Sequence, residues 1–198
     1  TGNNVLLVGV TIFNDTSQTV STITADGQSL ASWVVATNGT NARCEIWRLV
    51  APPVGAAVSV VITLSAIATF TAGVVTYSGV NQTTPLDAGV AATGNSTTPS
   101  VTITSEVDDM VMDTVGFLGA NLTDSLTVDI TQTEMWNLST SLGPGSRGAG
   151  SREAGAASVP MNWTINAIRQ WAQVGVNIND VLSAVSYYHL PYVSVAVP

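Results

Sequence analysis

Charge is what this sequence has least of. Only 9% of its 198 residues are charged, against about 25% in typical soluble domains. Lysine is absent, and the five arginines face thirteen acids for a net charge of −8. A nucleic-acid partner needs a basic face, so that class is excluded. Cysteine occurs once, which rules out an internal disulfide; Cys44, inside "ARCEIWRLV", reads as a small buried thiol. Histidine also occurs once, at His189, with no nucleophile or fixed acid nearby. No Cys/His spacing of a metal site is present, so neither metal nor cofactor is expected. The neighbouring acids Asp108 and Asp109 would point apart in a strand or turn and make no glycosidase pair. Catalysis is therefore not expected. No long stretch carries a 3.6-residue apolar period, so no core helix is expected either. The uncharged run from Leu49 to Leu86 has the length of a membrane crossing. Within it, however, Val58, Val60, Ile62 and Leu64 alternate with Ser59 and Thr63, which is the period of a strand.

What is present is a succession of short β-branched runs. Strands are expected at 4–13, 19–24, 30–36, 42–50, 57–64, 68–79, 100–104, 110–117, 128–136, 157–164, 170–178 and 191–197. Asp26-Gly27 has the chemistry of a tight hairpin, and the prolines of "APPVG" and "TTPLD" stand where strands must stop. Strands at this spacing imply an all-β fold, a two-sheet antiparallel sandwich of jelly-roll type. The five tryptophans, Trp33, Trp47, Trp136, Trp163 and Trp171, are expected to pack in the core or between sheets. "GPGSRGAGSREAGAAS", residues 143–158 with Arg147, Arg152 and Glu153, is the longest irregular segment and is expected to be a flexible surface loop or contact arm. Seven Asn-x-Ser/Thr sequons, at Asn14, Asn38, Asn81, Asn95, Asn121, Asn137 and Asn162, are candidate glycosylation sites. About three would arise by chance in this composition, so polar turns of a Thr-rich chain remain the competing reading.

"EIWRLVAPPVG", "YSGVNQTTPLD" and "GAGSREAGAASVPMNWT" followed by "WAQVGVNI" resemble a β-sandwich module of secreted and cell-surface prokaryotic proteins, over roughly residues 2–178. The resemblance implies an extracellular, cell-surface location and a fold, without a named activity. In such modules another strand precedes the segment matching "TGNNVLLVGV", so the first strand is missing here. The module would end near residue 178, and a tail follows it. The expected organisation is a sandwich at 1–178, a connector at 179–190 and an extra C-terminal strand at 191–198.

A missing strand leaves an edge that invites another. Val5, Leu7 and Gly9 are the expected acceptor edge; Tyr192, Val193, Val195 and Val197 are the expected donor strand. The connector reaches up to about 40 Å when extended, far enough for a neighbouring molecule. In trans, the donor makes a head-to-tail homopolymer resembling the donor-strand linkage of extracellular fibres. In cis, it completes its own sandwich and leaves a monomeric carbohydrate-binding or adhesion module. Low charge favours trans, so an extracellular filament subunit, a partner to itself and to surface glycans, is the expected function. For the binding alternative, Asp108-Asp109 or Asp124 and Asp129 would offer oxygen ligands, although no loop has EF-hand spacing.

Overall fold

A computed structural model describes residues 2–13, 17–53, 57–119, 123–140, 145–181 and 186–189. Within them the chain is all β, with antiparallel sheets and no helix. Among the described residues, no helix is long and apolar enough to cross a membrane. The first half contains β1 (Asn4–Ile12), β2 (Val20–Ala25), β3 (Gln28–Ser29), β4 (Ala31–Asn38), β5 (Ala42–Val50), β6 (Val60–Leu64) and β7 (Phe70–Ser78). The second contains β8 (Val90–Ser96), β9 (Ser100–Ile103), β10 (Met110–Gly119), β11 (Leu126–Val128), β12 (Thr133–Ser139), β13 (Gly145–Ala154), β14 (Val159–Ile165) and β15 (Arg169–Ile178). A last strand, β16 (Ser186–His189), follows.

The two central sheets run β16-β7-β1-β5-β4 and β12-β13-β10-β15-β8. They face each other across one core, where Leu7, Val75 and Tyr77 meet Met112, Trp136 and Val176. Each outer face carries a smaller sheet. Sheet β3-β2-β6 covers the first, burying Ile23, Val60 and Ile62 against Leu6, Val8 and Val10. Sheet β11-β14-β9 covers the second, burying Trp163 and Ile165 against Val115 and Phe117. The expected two-sheet sandwich thus has a further sheet on either side. Burial on both faces explains why "NVLLVGVTI" is a continuous apolar run rather than an alternating one.

The halves repeat one pairing pattern. In the second, β10 lies between β13 and β15, with β12 beyond β13 and β8 beyond β15. In the first, β1 lies between β5 and β7, with β4 beyond β5 and β16 beyond β7. A trace survives in sequence: Thr63-Leu64-Ser65-Ala66-Ile67 closes β6 as Thr164-Ile165-Asn166-Ala167-Ile168 closes β14.

Four readings are corrected. Residues 145–154 of the Gly-rich segment form an interior strand, paired with β10 and β12. The expected strand 128–136 is two strands, and residues 90–96, not expected as a strand, form β8. The expected connector contains β16. The hairpin at Asp26-Gly27 is present, with φ of 46° and 81° at the two turn residues.

Candidate functional site

The feature that separates the halves is the outer edge of β7. Phe13 donates its amide to the Thr69 carbonyl at 2.9 Å, beside the register pair Ile12–Phe70. Backbone direction alternates along an antiparallel strand, so the odd residues of β7 bond to β1. The even residues, Phe70 to Ser78, turn their N–H and C=O groups to the other side. Ser186–His189 pair there, with Ser186 opposite Ser78 and His189 opposite Val75. Val5, Leu7 and Gly9 are no acceptor edge: β1 is paired to β5 on one side and β7 on the other. The first strand in sequence lies in mid-sheet, and the edge belongs to the last strand of the half. The expected donor residues Tyr192, Val193, Val195 and Val197 lie outside the described residues, as do Asn14 and Asn121.

The interface between the central sheets explains the glycines. Trp136 lies in a slot walled by Gly9 and Gly73 of the first half and Gly150 of the second. A Cβ on Gly9 would stand 2.7 Å from the Trp136 ring, and at Gly73 or Gly150 it would fall inside it. Gly116 and Gly148 likewise admit the side chain of Thr11. The Gly-rich strand β13 therefore lets two sheets approach closely, which flexible-loop composition alone does not distinguish.

Titratable groups are used as struts. Asp113 is fully buried and accepts four hydrogen bonds, from Ser151 N (2.9 Å) and Oγ (2.7 Å), Trp163 Nε1 (2.7 Å) and Gln173 Nε2 (2.7 Å). Burial pushes its carboxyl up to about 6, against the pull of those donors. Glu45 plays the matching part in the first half, accepting from Trp47 Nε1 at 2.7 Å with the Arg43 guanidinium beside it. Burial pushes the Cys44 thiol up to about 12, and its Sγ donates to the Ala172 carbonyl at 3.1 Å, so it is an inert core group. Asp109 is buried and ties Asn177 Nδ2 (2.8 Å) to the amide of Asp180 (2.9 Å), whereas Asp108 is exposed at φ 77°. Asp124 is gripped at both oxygens by Arg169, and Asp129 closes a turn on Thr131. Among the described residues, no group of three or more His, Cys, Asp or Glu side chains is placed to hold a metal ion.

Four tryptophans, Trp47, Trp136, Trp163 and Trp171, are buried. Trp33 is half-buried beneath Arg48, whose guanidinium carbon lies 3.6 Å from the ring centroid. The sequons differ in freedom. Asn38 spends its Nδ2 on the carbonyls of Gly94 (2.8 Å) and Trp171 (2.9 Å), and Asn137 on Leu126 (3.0 Å) and Glu134 (2.9 Å). Asn81 uses its Oδ1 to cap Thr83 and Thr84, and Asn162 accepts from Ser100 at 2.7 Å. Asn95 is exposed, at the lip of an open cleft of about 350 Å³ lined by Asn41, Leu118, Ile168, Arg169 and Gln170.

Comparison of the chain with protein-family models, curated proteins and solved structures found no match. The one signal that could have located the β7 edge in sequence is the paired "T-L-S-A-I" and "T-I-N-A-I" segments, which place β7 and β15 in equivalent positions.

Proposed function

We propose that this chain is an extracellular structural subunit that polymerises by strand exchange. One observation carries the reading. The place beside β15 is filled by β8, from the same half; the equivalent place beside β7 is filled by β16, which follows the whole second half in sequence. An element joined to its half only through the C-terminal segment can be given to an identical neighbour with every contact kept, which is the physics of domain swapping. In the isolated chain the strand closes its own edge. In the polymer, residues 186–198 of one copy take that place in the next, head to tail, and the acceptor is β7. Backbone bonds along the edge give affinity, and alternating side chains give specificity.

The strand order of the second half, β8-β15-β10-β13 beside β9-β14-β11, supports a jelly-roll reading. On that reading the first half has this roll without its opening strand, and β16 takes that strand's place. The low charge, the absence of lysine and the sequons fit a surface covered by subunits and glycans at a cell exterior.

Electron microscopy of the full chain beside a version ending at Val181 tests the proposal. Filaments from the full chain and none from the shortened one are expected. A full chain that stays monomeric at high concentration overturns it. The second reading, a monomeric carbohydrate-binding or adhesion module with its edge closed in cis, would then stand on the cleft beside Asn95, Ile168 and Arg169.

A further inference from the structure

Ser151, Asp113 and Gln132 meet in the interior of the second half. Ser151 and Asp113 are fully buried and Gln132 nearly so. Ser151 Oγ donates to Asp113 Oδ1 at 2.7 Å and accepts from Gln132 Nε2 at 2.6 Å. On its other side the Gln132 carboxamide accepts, through Oε1, the amide of Asn162 at 2.7 Å. A backbone N–H is satisfied only by an acceptor there, so the carboxamide has one orientation, with its nitrogen toward the serine. A hydroxyl, a base and a polarised acyl carbon therefore stand in one dry contact. We infer that Ser151 and Gln132 of the folded chain join in an ester, with loss of ammonia. The ester forms within one chain, so it needs no exchange of strands.

Each part of the reaction has its group. Trp163 Nε1 and Gln173 Nε2 both donate to Asp113 Oδ2 at 2.7 Å, which leaves Oδ1 to the serine. A nucleophile bonded to a base that further groups orient is the general arrangement of an activated hydroxyl. Burial holds the Asp113 carboxyl up at about 6, so at neutral pH it is ionised and basic enough to take a proton. With a C–N bond of about 1.33 Å and an ordinary donor angle, Gln132 Cδ stands about 3.5 Å from Ser151 Oγ. Reacting atoms need roughly 3–3.5 Å. The terminal torsion of glutamine is soft, so the carboxamide can turn its face to the hydroxyl. Ser151 Oγ then gives its proton to Asp113 Oδ1 and its electron pair to Gln132 Cδ. The carbonyl electrons move onto Oε1, where the Asn162 N–H meets the charge. They return as the Cδ–Nε2 bond breaks, and the nitrogen takes the proton from Asp113 and leaves as ammonia. Nothing is oxidised or reduced, and Asp113 ends as it began. The exclusion of water that favours the attack also protects the product from hydrolysis. In the first half Glu45 has an indole and a guanidinium against it, and neither is an acyl group. The ester would tie the start of edge strand β12 to β13, a covalent brace in a chain whose single cysteine allows no internal disulfide.

The intact mass of the unaltered chain is the test. Refolded from urea and held at neutral pH, it should become lighter than its sequence by one ammonia, while a sample kept in urea retains its full mass. Protease digestion of the folded sample should then give a pair of peptides joined through Gln132 and Ser151. Hydroxylamine in denaturant, which cleaves esters, should separate them. Ser151→Ala and Gln132→Glu should keep the full mass of their sequences. Asp113→Asn, which removes the base, should slow the loss by roughly 10²–10⁴-fold. A folded, unaltered chain that holds its sequence mass on prolonged incubation overturns the inference. So does a loss of ammonia that persists in Ser151→Ala, because cyclisation of an asparagine elsewhere would then be its source. An unchanged rate in folded Asp113→Asn overturns the route through that carboxylate. Should a variant fail to fold, the mass and the joined peptides of the unaltered chain still decide. Filament formation enters none of these readings, so the failure of one proposal is not the failure of the other.

Discussion

The halves of this molecule share a pairing pattern and differ in where their edge strands come from. Residues 90–178 draw all their strands from one contiguous stretch. Residues 4–78 hold the same central strands but take their edge from Ser186–His189. The second half can close as it is made, whereas the first must wait for Ser186–His189, which follow the second half. Loop-closure entropy grows only slowly with length, so the distant strand costs little stability. What distance changes is exchange: a strand tied through a long path is the one a neighbour can replace. The contrast is why the proposed exchange edge is β7 and not β15.

The largest effect is expected where the halves touch. Trp136 belongs to the second half and its slot to both, with Gly73 and Gly9 on the first. Gly73→Val places atoms where the indole stands, and overpacking of that kind costs about 1–3 kcal/mol or more. Trp136→Ala empties the slot at a cost of roughly 3–5 kcal/mol. Combined, the two should cost clearly less than their sum in urea unfolding, because each relieves the other. Strict additivity would mean that the glycines serve some other purpose than admitting the ring.

A second test sharpens the contrast between the two buried carboxylates. Glu45 has the Arg43 guanidinium beside it; Asp113 has only neutral donors. With its folded value pushed up from 3.8 to about 6, Asp113 holds its proton more tightly folded than unfolded. Its contribution to stability is therefore greatest below pH 4, declines between pH 4 and 6, and is lost above. Across that window the decline amounts to roughly 3 kcal/mol. Unfolding measured across pH 4–7 should show that extra decline in the parent and not in Asp113→Asn. Parallel curves would mean that the donors around the carboxylate cancel the cost of burying it.

Removing residues 182–198 should act on one half only. Amides of Thr76 and Ser78, opposite Tyr188 and Ser186, would exchange faster, while those of β15, covered by β8, keep their protection. Equal loosening in both halves would show that the two fold as a single unit and that the edge has no local meaning.

Much of the fold is legible in the residues. Strand β5 is marked at both ends by "ARCEIWRLV", and β1 and β7 within one or two residues, because β-branched runs bounded by turn residues are a local signal. β13 is not legible, because its glycines answer to Trp136 and Thr11, which come from other parts of the chain. β8, "VAATGNS", has three of its seven residues exposed, none fully buried and few large apolar ones, so edge position disguises it. The expected strand at 191–197 lies outside the described residues. A strand buried on both faces, such as β1, looks in sequence like a strong strand wherever it sits in the sheet, and only pairing shows that it is central.

The smallest expected effect tests an addition that the first half alone carries, the β2–β3 hairpin over the outer sheet. Gly27 sits at φ 81°, and a Cβ there would meet nothing within 4 Å. Gly27→Ala therefore introduces no clash, and its whole cost is that of a left-handed alanine, about 1–2 kcal/mol. Asparagine visits that conformation more readily, so Gly27→Asn should recover much of the loss in thermal melts. A drop much larger than this would mean that the hairpin supports the edge beside it. Ile23 and Val60 hold it against the outer face of β1, and β1 in turn positions β7. Under strand exchange the turn would then govern how readily the acceptor strand is offered to a neighbour, and Gly27→Ala would lower filament formation along with the melting point.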